Sequence, residues 1–511
     1  MSQILTGKQQ EELNKAILQY LEPLLTENSN SRDLVEPLAQ ALNVSTAVAT
    51  GDGIIPNYLE KKWSTVLRLQ RRILDLESET NSLKSALQSK PNLPTSDDKS
   101  KFEWTPSTTA KEFAMQSSQL VSSVQIHPQL PLIFNGCSDG SLLVWSLVSD
   151  NSDAGIPEKS IKAHTRGINR IKLSGVPINL STVDSQFNYI LATCSADLTI
   201  KIWNSSTYQQ VRTLTGHDHT VSSIAFSKIQ PTRLYSVSRD KSTKVWDMTN
   251  GSCIKSFVGH SDWVRDIDVI ALEGEKNTLG DFLLTCSNDQ SIRLTHAESG
   301  TGIALLIGHS HVIERVKFLP LSSNYILDKY IKENSSAFPT IPQDLVDDPI
   351  YTTTLGYKYC ISAGRDNTIK LWLLPPPVLR PHRSPLPTSH NNSQGWHIAD
   401  LIGHSSWVKA LEVHPNGKYI FTAGDDKTIK IWDINALLES GSVQCVKTLI
   451  GHKGFVNDVN FAPVNNAAQP IEDGQNSGEN EDYDTFKEKM GKQIRCIFVS
   501  GGVDNSVKVW N

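Results

Sequence analysis

No stretch of the 511 residues approaches 18 consecutive apolar positions, which excludes an ordinary membrane-spanning helix. The opening MSQILTGKQQEELNK turns polar within six residues, so it lacks the apolar segment of a secretory signal. Cysteine is sparse and odd in number. Cys137, Cys194, Cys253, Cys286, Cys360, Cys445 and Cys496 are scattered, with no C-x-x-C. That suits free thiols in a reducing cytosol rather than a disulfide framework or a zinc site. Positive charge is not in excess: the formal net charge is −5, which offers nucleic acid no bulk attraction. There is no P-loop and no G-x-G-x-x-G opening a helix, and the chain reads as a non-enzyme without cofactor or catalytic residue. Its length suits two to four domains or a repeat array.

What is present is a repeat. Gly-His or Ala-His recurs at His164, His217, His260, His309, His404 and His452, each followed by a half-apolar stretch such as TVSSIAF or FVNDVNF. A second stretch then leads from an Asp to a Trp six residues on: Asp139/Trp145, Asp197/Trp203, Asp240/Trp246, Asp366/Trp372, Asp426/Trp432 and Asp504/Trp510. Asp289 has Thr295 at that offset, so there are seven copies, one without its tryptophan. Alternating apolar and polar positions indicate half-buried antiparallel strands joined by Asp-containing turns. This resembles the WD-repeat family, whose copies form four-stranded blades of a β-propeller. The implied fold is all-β and seven-bladed over 109–511, preceded by α-helical segments. One blade cannot bury both faces of its sheet and must stack on neighbours. Because the chain stops one residue after Trp510, the seventh blade needs an outer strand from elsewhere. Thr109–Gln116 is the natural donor and would close the ring.

The histidines admit two readings. GHDH (His217, His219) and GHSH (His309, His311) invite metal or acid–base chemistry, but no third ligand is evident. The structural reading, implied by the family, has each Gly-His imidazole bond the turn aspartate of its blade: Asp197, Asp240, Asp289, Asp366, Asp426 or Asp504. Three long insertions, 320–356 in the fifth copy, 374–397 between the fifth and sixth, and 464–492 in the seventh, have the composition of mobile, solvated loops. The second, rich in proline and arginine, is either a stiff surface loop or an SH3 ligand.

The first ninety residues are helical in pattern. GKQQEELNKAILQYLEPLL places Leu13, Ala16, Ile17, Tyr20, Leu21 and Leu24 on one face. Leu34, Val35, Leu38 and Leu42 follow, with Pro37 among them. In 57–89, Leu59, Val66, Ile73, Thr80 and Leu87 fall at heptad position a, and Lys62, Leu69, Leu76 and Leu83 at d. Two series at spacing seven predict a parallel, two-stranded coiled coil, the alternative being a helix packed on the propeller. Residues 90–108 form a linker that begins Pro- and Ser-rich. The expected assembly is a homodimer with two tethered propellers.

QQEELNKAILQYL resembles the first helix of a LisH motif (1–45). YLEKKWSTVLRLQRRILDLES, with CSADLTIKIW, TGHDHTVSSIAF, SVSRDKSTKVWD, GHSDWVRDI and CSNDQSIRL, is similar to the lissencephaly/nuclear-distribution family of dynein regulators, and to its longer fungal members. The resemblance implies binding to the cytoplasmic dynein heavy chain, relief of its autoinhibition, and loading at microtubule plus ends for nuclear migration and spindle positioning. It implies a cytoplasmic, cytoskeletal protein at plus ends and spindle poles. The implied partners are a NudE-type coiled-coil protein and plus-end-tracking proteins, with indirect microtubule association. Neither nucleic-acid binding nor membrane insertion is implied. The motor-binding face falls on Arg239, Arg265, Arg365, Trp407 and Lys427. Chemistry alone leaves a choice there. Trp263 and Trp407 beside Arg265 and Lys409 have an interface composition. Alternatively, the tryptophans pack between blades and the arginines pair with turn aspartates. A competing role is a LisH–WD-repeat scaffold in a ubiquitin-ligase or corepressor complex.

Overall fold

The computed structural model describes residues 103–115, 119–148, 156–180, 187–272, 279–381, 383–388, 394–463 and 494–511. Before them it describes 14, 15, 17, 20, 21, 35–42, 68, 70–74, 76 and 78. The chain divides into two units, Met1–Lys90 and Pro91–Asn511, each taken by itself.

In the first unit Val35–Ala41 is helical. Pro37 sits in its first turn, where a missing N–H removes no intrahelical bond. Ala39 is buried against Leu38 and Leu42, and the Asn14 side-chain amide donates to the Leu42 carbonyl at 3.0 Å. Ile73 and Leu76 are helical and exposed. Leu59, Val66, Leu69, Leu83 and Leu87 lie outside the described residues.

The second unit is a seven-bladed propeller of four-stranded antiparallel sheets. Blade six shows the plan: Val408–Val413 innermost, then Tyr419–Gly424, Thr428–Asp433 and, outermost, Gln444–Ile450. Its second strand is buried along its whole length, as expected of a strand covered by a neighbouring sheet on each face. The inner strands of blades one to seven start at Val121, Ile168, Val221, Val264, Ile313, Val408 and Val456. Each touches the next, and the last touches the first. Small residues permit that approach: a Cβ on Gly136 in blade one would lie 2.6 Å from Ile168 of blade two.

Closure is made by Thr109–Ala114, which pairs antiparallel with Ser506–Trp510, Phe113 opposite Val507. Phe113 is 1% exposed, with its ring 5.2 Å from that of Trp145 in blade one. Charges buried on the inner strands add a second tie. Arg170 of blade two reaches Asp458 of blade seven at 2.5 Å and Asp266 of blade four at 3.8 Å. Ser123 of blade one donates to the same Asp458 at 2.7 Å.

All seven inner strands carry a β-bulge after their first residue. The extra residues are Ser122, Asn169, Ser222, Arg265, Glu314, Lys409 and Asn457. A bulge re-aims one side chain out of the ladder. In blades one, two and seven that side chain bonds the next blade's backbone: Ser122 to the Ile168 carbonyl at 2.5 Å, Asn169 to Val221 at 2.6 Å, and Asn457 to Val121 at 2.7 Å.

The insertions correct two expectations. Residues 320–356 are not a mobile, solvated loop. They form a helix, Asn324–Glu333, a short helix, Gln343–Val346, and a π-helical turn, Tyr351–Leu355. Ile326, Leu327, Ile331, Val346, Tyr351 and Leu355 are buried, which supplies the apolar burial that a loop of this length needs in order to be ordered. Lys358 pins the insertion through Asp328 at 2.5 Å and the Val346 carbonyl at 2.7 Å. The second insertion lies within blade five, not between blades five and six, because Trp396–Ile402 is that blade's outer strand. Its described part is a hairpin, Val378–Arg380 with Arg383–Leu386, a paired strand geometry rather than the extended helix of an SH3 ligand. The third insertion, 464–492, lies outside the described residues.

Deleting residues 109–116 should lower the melting temperature of the ring sharply, and Phe113→Ala should remove about 3–5 kcal/mol in urea titrations. An unchanged melting temperature in the deletion would contradict closure by this strand. Arg170→Ala, which removes the main cation beside buried Asp458 and Asp266, should cost about 3–5 kcal/mol by the same measurement.

Candidate functional site

Within each blade successive strands reverse direction. The turn joining strands two and three therefore lies at the same end of the ring as the loop that leads into the next blade. The Asp turns and the Gly-His loops share that end.

A four-residue relay fixes it. His217 Nδ1 lies 2.7 Å from Asp240, and its Nε2 lies 2.7 Å from the Ser236 hydroxyl. Trp246 Nε1–H donates to that same hydroxyl at 2.7 Å. A neutral imidazole protonated at Nδ1 satisfies every group: indole to hydroxyl, hydroxyl to Nε2, Nδ1–H to carboxylate. His164–Asp197, His260–Asp289, His309–Asp366, His404–Asp426 and His452–Asp504 repeat the contact at 2.7–3.0 Å. Thr193, Thr285, Ser362, Thr422 and Ser500 are the hydroxyl partners. Each hydroxyl residue stands four positions before its aspartate, a regular signal that the sequence reading passed over. Blade one has no histidine at the relay position, and Gln119 Nε2 donates to Asp139 at 2.7 Å instead.

The same turns hold one left-handed residue per blade: Gly140, Leu198, Lys241, Gln290, Asn367, Lys427 and Asn505, with φ between 60° and 89°. The relay aspartate bonds the backbone around that residue, as Asp426 does at Thr428 N, 3.1 Å. The string Gly136-Cys137-Ser138-Asp139-Gly140 has the G-x-S-x-G spelling of a hydrolase nucleophile. It is the blade-one turn, strand to strand, and its aspartate is held by Gln119 and Ser141.

On blades three to six this end carries a cluster of cations and aromatics. The Arg239 guanidinium lies 4.6 Å from the Trp263 ring centre, and Arg265 lies 5.7 Å from it on its own bulge. Arg365 stacks 4.4 Å over Trp407. Trp407 is 39% exposed, so the tryptophans are not sealed between blades. The arginines do not pair with turn aspartates either. Their acid is Glu314, a residue sequence reasoning missed. It accepts from Arg365 Nε at 2.6 Å and lies 4.0 Å from Arg265 Nη1. Arg265 Nε donates to Asn288 at 2.6 Å. Burial alone would raise the Glu314 pKa, but Arg265 and Arg365 beside it hold it below the usual range. Lys409 pairs with Asp425 at 2.7 Å and lies 5.4 Å from the Phe455 ring centre.

Arg239, Arg265, Arg365 and Trp407 thus share one neighbourhood. Lys427 is exposed on the blade-six turn and has no described contact with them. His219 and His311 accept from the next backbone N–H, at 2.7 Å in both cases. Their rings lie 5.9 Å from Trp263 and 6.4 Å from Trp407. Among the described residues no group of three His, Cys, Asp or Glu is placed to hold a metal, and no helix is long and apolar enough to cross a membrane.

Six stretches, 108–146, 155–204, 208–247, 251–295, 395–433 and 483–511, match the family model described as WD domain, G-beta repeat. Residues 296–394, which contain the first three strands of blade five, its first insertion and most of its second, are not matched. The chain is 57% identical over 529 residues to the nuclear distribution protein PAC1 of Debaryomyces hansenii, covering 100% of this chain and 99% of that one. It is 56% identical over 524 residues to the protein of that name from Scheffersomyces stipitis, again covering 100% and 99%. With the one from Arthroderma otae it shares 31% over 527 residues, covering all of both chains.

The relay sets an acid limit on the ring. Burial pushes the Asp426 carboxyl upward, but the bonds from His404 and Thr428 prevail and bring it to about 2, against ~3.9 for a free aspartate. Asp240, Asp289, Asp366 and Asp504 are also held low. A depressed folded pKa contributes stability that is present above the unfolded value and lost as pH falls through the folded one. The contribution of these groups to the urea midpoint should be level from about pH 7 to 5 and fall below about pH 4, with Asp426→Asn reducing the fall. Identical acid titrations of Asp426→Asn and the parent chain would contradict the assignment.

Proposed function

The chain belongs to the nuclear distribution protein PAC1 family, and from that premise we propose that it is a non-catalytic regulator of cytoplasmic dynein acting in nuclear migration and spindle positioning. It binds the motor domain through the end of the propeller that carries Arg239, Arg265, Arg365 and Trp407, with Lys427 at the edge of the footprint. Binding one conformation of the motor better than another shifts the motor's population. In this reading the favoured conformation is the one freed from autoinhibition, and loading follows at microtubule plus ends. The cytoplasm and its cytoskeleton, at microtubule plus ends and spindle poles, are its places of action.

The observation that carries the reading is the pairing of guanidiniums with accessible indole faces, Arg365 on Trp407 and Arg239 with Arg265 around Trp263. Tryptophan and arginine are the residues that most often dominate binding energy at protein interfaces. Three guanidiniums around one carboxylate leave the cluster cationic, which suits an acidic surface on the partner. A NudE-type coiled-coil protein and plus-end-tracking proteins complete the proposed partners. The heptad spacing that places Ile73 at a and Leu76 at d supports a parallel coiled-coil homodimer. Two propellers in one molecule then engage the target bivalently.

Equilibrium binding to a recombinant dynein motor domain tests the function and the face together. The parent chain should bind with submicromolar affinity, and Arg265→Ala/Arg365→Ala/Trp407→Ala should bind at least about a hundredfold more weakly with unchanged circular dichroism. Parent binding that survives the triple substitution would reject this face. No binding by the parent would reject the motor as partner.

A further inference from the structure

Glu314 stands at a position with a different task in other blades. It is the bulge residue of blade five. Its counterparts Ser122, Asn169 and Asn457 tie one inner strand to the next by a bond to a backbone carbonyl. A carboxylate cannot donate that bond, and Glu314 uses its oxygens instead on Arg365 and Arg265. It is 8% exposed, and a carboxylate so buried needs compensation to remain charged. Here two guanidiniums from different elements supply it. Arg265 comes from the blade-four bulge, and Arg365 from the turn between the second and third strands of blade five.

The way each arginine is held matters for what it can offer. Arg365 gives its Nε–H to Glu314, and Arg265 gives its Nε–H to Asn288. A guanidinium anchored through Nε, as in Arg365, keeps its terminal nitrogens for bidentate contact with a carboxylate, whereas Arg265 also turns Nη1 toward Glu314. The same anchoring holds Arg365 against Trp407 and Arg265 near Trp263.

We propose that Glu314 is a positioning residue for the binding face: it sets the spacing and orientation of the Arg265 and Arg365 forks and keeps Arg365 stacked on Trp407. This rests on the proposed motor-binding reading, and it makes a prediction of sign. If Glu314 only diluted the positive charge, removing its charge would strengthen attraction to an acidic partner. If it positions the forks, removing it weakens binding although the cluster becomes more cationic. Glu314→Gln keeps an oxygen for the Arg365 Nε–H and loses the ionic hold. Glu314→Ala loses both.

The test uses the full chain in two measurements. The first needs no partner: tryptophan emission of the free protein, with Trp407→Phe subtracted to isolate Trp407. Glu314→Gln and Glu314→Ala should shift the Trp407 contribution, alanine more than glutamine, at a temperature where melting curves show all variants folded. The second is affinity for the recombinant motor domain: parent tightest, Glu314→Gln about tenfold weaker, Glu314→Ala weaker still. Unchanged or tighter binding by Glu314→Gln, or an unmoved Trp407 emission, would overturn the proposal even if melting temperatures fall. If the parent does not bind the motor domain, the functional reading fails, and the emission measurement still decides whether Glu314 positions Arg365. Should Glu314→Ala not fold, Glu314→Gln alone carries both readouts.

Discussion

Each sheet of this protein buries both faces against its neighbours, and no blade has a core of its own. That constraint places every other feature. Cores run between blades: Val121, Val124 and Ile126 of blade one share a cluster with Val499, Val507 and Val509 of blade seven. A ring built this way is stable only when closed, because an open array presents two apolar sheet faces to water. Closure falls to Thr109–Ala114 against Ser506–Trp510, two segments nearly 400 residues apart in the chain and joined by antiparallel hydrogen bonds. The inner strands add charge bridges around the channel, with Arg170 linking blades two, four and seven.

Closure leaves the end of the ring free to differ from blade to blade. The relay of tryptophan, hydroxyl, histidine and aspartate is a local device whose parts can be exchanged: in blade one Asn135 takes the hydroxyl's place and accepts from Trp145 Nε1. Gln119 stands in for histidine in blade one. In blade four the relay runs from Thr285 through His260 to Asp289 although Thr295 occupies the tryptophan position. The bulge positions diverge further. Around blades one, two and seven they are short polar residues spent on the next blade's backbone. Around blades four, five and six they are Arg265, Glu314 and Lys409, spent on one another or on a turn. One arc of the ring is therefore committed to holding blades together, and the other exposes the arginines and tryptophans of the proposed binding face.

The repeat was plain in the sequence because its markers are periodic: Gly-His before an inner strand, and Asp and Trp six apart across a turn. The relay hydroxyls were nearly as regular, four before the aspartate in blades two to seven, but serine and threonine are too common for the spacing to stand out unaided. Glu314 was not legible. It has no periodic counterpart of its type, and its partner Arg365 is 51 residues away, across an insertion whose length gave no hint that it folds. That insertion misled because its average composition is polar, whereas its helix Asn324–Glu333 buries only one face, through Ile326, Leu327, Tyr330 and Ile331. Short amphipathic pieces are diluted when a long segment is judged by composition.

The proposed motor-binding surface is one end of blades three to six. Hydrogen–deuterium exchange of the full chain, with and without recombinant dynein motor domain, reads this without any substitution. The account predicts slowed exchange in 215–220, 239–241, 259–263, 288–290, 308–312, 365–367 and 403–407, the loops and turns at that end, with little change at the opposite end. Protection confined to the opposite end, or to the outer strands of blades one and two, would contradict it.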